Sequence, residues 1–272
     1  MELAEFLEKI SLNSEAKKEL LALPLSEQEY EDFKEAFLYT RQTFFERIVQ
    51  EKNYRIKLLY LYSRMACEKY PEFCKMGISD EIYYDTFYDL TIWSEDCKEK
   101  FKEYGLNKPQ WLSIHLDGRL FRLGRLQFEK TTYYCEGKKI PAISIHIPAG
   151  EKLDIEKCRN SFQKAEQFFK GDYIYFCHSW LLYPGLKEVL SKSSNIVKFQ
   201  EFFEIKEVDY DVRQAEQRIF GKEQEDYTKY PQSTGLQKAA RNYLLEGKHL
   251  GNGFGILKKE VVGRSDEHTS EL

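Results

Sequence analysis

The sequence predicts an α+β protein in which an all-helical N-terminal part precedes a C-terminal part that mixes strands and helices. Three observations carry this expectation. Apolar residues recur every three or four positions up to about residue 105; after Lys108-Pro109 strict apolar/polar alternation appears; and capped helical segments stand between the alternating stretches. The expected division is a helical domain over 1–108 and a mixed domain over 109–263.

Leu3, Phe6, Leu7 and Ile10 form the stripe of a first amphipathic helix, and a second starts near Ser14 and stops before Pro24. Ser26 with Glu29 makes a capping box ahead of Tyr30, Phe33, Phe37, Phe44 and Ile48, and Leu58 to Met65 continue the helical pattern to Pro71. Ser79, followed by Asp80 and Glu81, opens a helix whose apolar residues step from Ile82 to Phe101. Pro109 suits the first turn of a short helix ending at Asp117-Gly118, in preference to a strand with an Asp-Gly turn. Leu120 to Lys130 is strand-compatible, with Gly124 as a bulge or close approach. A turn at 136–138 leads to the alternating strand Ala142 to Ile147. Asp154 then caps a helix to about Phe169, Tyr173 to Trp180 reads as an aromatic strand, Pro184 opens a helix, and Asn195 to Val208 reads as a further strand. Helices near 212–220 and 234–246 precede a glycine-rich closing segment, 251–257.

Composition excludes several classes of function. With 41 basic and 45 acidic residues and a net charge of −4, no basic field recruits nucleic acid. Apolar runs are far shorter than the ~20 residues a membrane helix needs, and the start MELAEFLEK lacks a secretory leader pattern, so a cytoplasmic protein without membrane contact is expected. The six cysteines lack metal-ligand spacing; reduced, mostly buried thiols and no metal are expected. The closing RSDEHTSEL departs in composition from what precedes it, and Arg264 to Leu272 is read as a non-native tail.

Beyond element order, the wording of the chain is informative. GRLFRLGRLQFE (118–129), SIHIPAGEKLD (144–154), CHSWLLYPGL (177–186), SNIVKFQEFFEI (194–205) and TGLQKAARNYLLEGKHLGNGFGIL (234–257) resemble bacterial acyltransferase-domain proteins with a GNAT-like C-terminal domain. DEIYYDTFYDLTIW (80–93) resembles the helical N-acyltransferase N-terminal domain that accompanies it. The resemblance implies a central, mostly antiparallel, splayed sheet. It further implies transfer of an acyl group from acetyl-CoA or another acyl-CoA to an amine on a small-molecule acceptor. The cofactor would lie at Ile147, Ala149, Gly150, Lys152 and Asp154, ahead of a helix N-terminus that favours anions. This loop carries one glycine and two carboxylates where a typical pyrophosphate loop is glycine-rich. A second reading is therefore a noncatalytic ligand- or partner-binding protein on a degenerate GNAT scaffold.

His146 occupies the strand where such enzymes place a general base, and imidazole titrates near neutrality. A hydrogen-bonded histidine on a half-polar strand face is the alternative. Glu129, which shares a strand face with Arg125 and Gln127, is a second candidate base, and His178 a third. His178 and Ser179 point to opposite faces and cannot form a nucleophile–base pair with each other. Tyr183 is a candidate acid for the leaving thiolate, against a role in aromatic packing. Arg122 and Arg125, set among apolar residues, need partners or a solvent-lined cleft: a carboxylate or phosphate ligand, or, in preference, a salt bridge to Glu129 or Asp117. The G-x-G-x-G at 251–255 has no following helix and is read as a turn or bulged strand.

Overall fold

A computed structural model describes residues 1–261; the expected tail lies outside them. The chain forms two compact units. The first comprises Met1–Leu123 with Pro148–Gly150; the second comprises Gly124–Ile147 and the chain from Glu151 onward.

The first unit contains α1 (Leu3–Lys9), α2 (Ser14–Leu21), α3 (Glu27–Tyr39), α4 (Arg41–Ile48), α5 (Tyr54–Lys75), α6 (Asp80–Phe101), α7 (Pro109–Ser113) and the strand β1 (Leu120–Leu123). Its helices start where their side chains can satisfy first-turn amides: the Asn13 side chain accepts from the Glu15 N–H, and Ser79 accepts from Ile82. Ser26 and Glu29 close a reciprocal capping box. Apolar faces converge on an aromatic core in which Phe6, Phe73, Tyr83 and Phe87 meet mostly edge-on, and Phe37, Phe44 and Tyr62 form a second group. Buried hydroxyls find backbone acceptors: Tyr62 donates to Pro109 O and Tyr83 to Ala66 O, each at 2.7 Å. The helix expected to end at Pro71 runs one turn further, to Lys75. β1 is fastened by Thr86, whose Oγ1 accepts from the Arg122 N–H at 2.9 Å.

The second unit holds β2 (Leu126–Cys135), β3 (Lys138–His146), α8 (Ile155–Phe168), β4 (Ile174–Ser179), α9 (Leu186–Val189), α10 (Asn195–Gln200), β5 (Phe203–Asp209), α11 (Gln214–Phe220), α12 (Gly235–Leu245) and β6 (Asn252–Leu257). Its strands lie side by side in the order β2-β3-β4-β6-β5. β3 and β4 run parallel, joined by α8 as the crossover, and the other pairs are antiparallel. The mostly antiparallel sheet of an α+β fold is thus present.

Two expectations are corrected here. Leu120 to Lys130 is two strands, because Gly124, at φ +78°, makes a turn rather than a bulge. The first half of the Asn195 to Val208 strand is instead α10, whose first turn is capped by Ser194 accepting from Ile196 N–H, and whose Val197 and Phe199 are buried. The bulge in this region lies in β5, between Ile205 and Glu207, opposite a regular β6. The glycines of β6 have a steric reason: a Cβ on Gly253 would stand 2.2 Å from the Leu182 carbonyl oxygen.

The core under α8 and α10 is built from Phe128, Phe162, Phe199, Phe202 and Phe203, with Ile143, Ile145 and Cys177 from the sheet. A second core gathers Tyr183, Leu186, Tyr243 and Leu250, against which Trp180 packs.

Candidate active site

The site begins with a turn. Glu136 and Gly137 both have positive φ, 49° and 75°, which suits a two-residue hairpin whose twist matches that of the flanking strands. The turn pairs Cys135 with Lys138, and the same register carries down to Glu129 opposite Ser144 and Gln127 opposite His146. Because side chains alternate, Leu126 and Phe128 face α8 while Gln127 and Glu129 share the other face with Ser144 and His146. The β4 and β6 ladders add Phe176, His178 and Phe254 to that face. Tyr133 stacks on Phe254 at 5.7 Å, and Phe176 lies 5.4 Å from Phe254.

On this face His146 Nε2 and Glu129 Oε2 stand 2.9 Å apart. The pair is neither sealed nor fully solvated: 26% of the His146 side chain and 14% of Glu129 are exposed. The ladder between β3 and β4 runs only from Ala142/Ile174 to Ser144/Phe176. Beyond it the strands part, with β4 continuing against β6. A continued ladder would have set His146 beside His178; the splay separates them, so the two imidazoles flank the gap. His178 is largely exposed, 4.0 Å from the Asp209 carboxylate and edge-on to Phe254. Cys177 and Ser179 face the helices, which fixes the face that borders the gap. Burial raises the Cys177 thiol pKa, and Ser179 Oγ accepts from the Leu181 N–H.

Tyr183 is not brought to this group. Its phenol donates to the His249 carbonyl at 2.8 Å and lies 3.0 Å from the Tyr243 hydroxyl in the second core. Burial first, then its hydrogen bonds to Tyr243 and Tyr210, raise its pKa.

The expected cofactor residues divide between the units: Ala149 and Gly150 belong to the first, Ile147, Lys152 and Asp154 to the second. The second-unit portion is firmly held. Arg125, expected in a strand, lies in the turn before β2, and its guanidinium donates to the Glu151 and Lys152 carbonyls at 2.9 and 3.0 Å. Asn195 Nδ2 donates to Leu153 O, and Asp154 Oδ1 accepts from the Lys157 N–H at 2.9 Å. The N-terminus of α8 fits an anionic group in part: Lys152 and Lys157 bring positive charge, while Asp154 occupies one first-turn amide and Glu151 lies 3.9 Å from Lys157. Among the described residues no three His, Cys, Asp or Glu side chains gather as a metal site.

Sequence reasoning named Gln127 only as a face neighbour of Glu129. It is fully buried opposite His146, and neither carboxamide atom meets a partner among the described residues. Counting outward from a two-residue turn at Glu136-Gly137 would have revealed both this position and the sharing of a face by Glu129 and His146.

A mixed sheet whose parallel central strands part at one end is the fold of a GNAT-like domain. Residues 120–257 match the GNAT-like C-terminal domain and residues 1–118 the N-acyltransferase N-terminal domain, and the chain belongs to the family these two domains define. No curated protein matches the sequence. Among solved structures, an acyltransferase in complex with CoA and 10C-teicoplanin is similar at 21% identity and a TM-score of 0.79, covering 94% of this chain and 87% of its own. An acyltransferase in complex with decanoyl-CoA and teicoplanin matches at 21% identity and 0.78 over the same shares. A third, in complex with decanoyl-CoA, matches at 20% identity and 0.68, covering 94% of this chain and 99% of its own. At this identity the likeness concerns the fold.

Proposed function

We propose that the protein is an N-acyltransferase that moves an acyl group from the thioester of acetyl-CoA or a longer acyl-CoA to an amine on a small-molecule acceptor. The observation that carries this reading is the His146–Glu129 pair at the point where β3 and β4 part. The acyl-CoA and teicoplanin complexes of similar folds support it. With Nε2–H donated to Glu129, the His146 Nδ1 lone pair takes the proton of the attacking amine, and the carboxylate both orients the ring and faces the positive charge that develops. Ile147, Lys152 and Asp154 of the second unit are assigned to the CoA side. His178 is a second candidate for proton handling at the gap, and Tyr183, held in the second core, is assigned to packing. Four buried and two exposed cysteines, all free, suit a reducing compartment such as the bacterial cytoplasm.

Isothermal titration with acetyl-CoA and longer acyl-CoAs tests this reading on the intact chain. Saturable binding is expected. Absence of binding at millimolar ligand would overturn it and favour the noncatalytic alternative, for which the Glu151 and Asp154 carboxylates at the α8 loop speak.

A further inference from the structure

Gln127 is the one polar side chain on the site face that is wholly buried and meets no protein group among the described residues at either Nε2 or Oε1. A buried carboxamide left in this state is destabilising, and a methionine of similar length would avoid it. On the opposite face the Leu126 N–H and the Arg125 N–H both donate to Ser161 Oγ of α8. In the β2–β3 register Gln127 faces His146 directly, which sets their Cβ atoms about 5 Å apart. Glu129, which holds the His146 ring, is two residues along the same strand and face.

We propose that Gln127 is a catalytic residue whose carboxamide contacts both reacting groups, an inference that rests on the acyl-transfer reading above. Nε2 donates to the thioester carbonyl oxygen and Oε1 accepts from the amine. One donor and one acceptor on a single planar group, beside the imidazole, match a reaction that joins a carbonyl to an N–H. The amine lone pair forms the C–N bond while the carbonyl π pair moves onto oxygen, where the Gln127 N–H meets the developing negative charge. His146 Nδ1 removes the proton from nitrogen. Collapse restores C=O, breaks C–S and releases the thiolate, which receives a proton to give free CoA thiol and the amide. The carboxamide is covered in this structure, so the contact forms as the substrates enter beside His146; away from water its dipole is unscreened.

The test is isotope-edited infrared spectroscopy of decanoyl-CoA, 13C-labelled at the thioester carbonyl, bound to the full chain and to Gln127→Met and Gln127→Glu. A hydrogen bond from Nε2 polarises C=O, so the stretch should lie below its solution frequency on the wild type. It should return toward that frequency in both variants, because both lack the amide donor. Melting temperature is read on the same samples, and Gln127→Met should melt at or above the wild type. An identical stretch in wild type and variants overturns the assignment to Gln127 alone. Failure of the wild type to bind acetyl-CoA as well as decanoyl-CoA overturns both the assignment and the acyl-transfer reading.

Discussion

At His146 one ring nitrogen stands 2.9 Å from a carboxylate and the side chain still reaches solvent at the strand gap, which suits the proposed base. Replacement by glutamine preserves size and hydrogen bonding but removes the titratable nitrogen. Turnover of acyl-CoA with a competent amine should fall by roughly 10²–10⁴-fold while acyl-CoA affinity changes little, measured by CoA release and titration. A variant that melts early yet retains turnover per folded molecule would move the base assignment to Glu129 or His178. The proposed role of His146 was read from its place in the SIHIPAGEKLD segment. Its partner had to be read from the turn, because Glu129 and His146 are brought together by a pairing register, and register is a property of the turn rather than of either strand. Tyr183 shows the same limit from the other side: its position after a strand suggested chemistry, whereas Gly185 beneath its ring and His249 beyond it draw it into a core.

Among the elements, those with strong end signals matched expectation. Ser26/Glu29, Ser79 and Asp154 each place a side-chain oxygen on a first-turn amide, and such caps act locally enough to be read from a few residues. The misread segment, α10, is six residues of β-branched and aromatic character whose helical state is settled by a Ser194 cap and by packing of Phe199 against Phe162 and Phe203. Glycine in β6 was recognised as unusual, but its cause is tertiary. The backbone of Leu182 approaches so closely that Gly253→Ala places a methyl 2.2 Å from a carbonyl oxygen that cannot swing aside. A loss of about 3 kcal/mol is expected, seen as a lower denaturation midpoint with an unchanged denaturant slope. An unchanged midpoint would mean that the Leu182 segment yields easily.

For the molecule as a whole, burial sorts the thiols. Removal from water pushes Cys67 up to about 12 and Cys97 and Cys158 up to about 11, and it raises Cys177 as well. A raised thiol pKa leaves little thiolate at pH 8, so a thiolate-selective reagent should titrate Cys74 and Cys135 quickly and the remaining four only on unfolding. Rapid native-state reaction of more than two thiols would contradict this packing. The general class of the fold was legible because helical and alternating periodicities separate cleanly along the chain; the strand order was not, since nothing local encodes it. That order has a consequence for biosynthesis. β6 follows every other strand in the chain yet lies between β4 and β5, so a ribosome delivers the interior of this sheet after its flanks. Until Asn252 to Leu257 emerge, the nascent chain holds two open edges, one of them along Phe176 and Cys177, at the moment when a neighbouring chain on the same message is nearest. Escape from co-translational aggregation therefore depends on how quickly one short, glycine-bearing strand slots home.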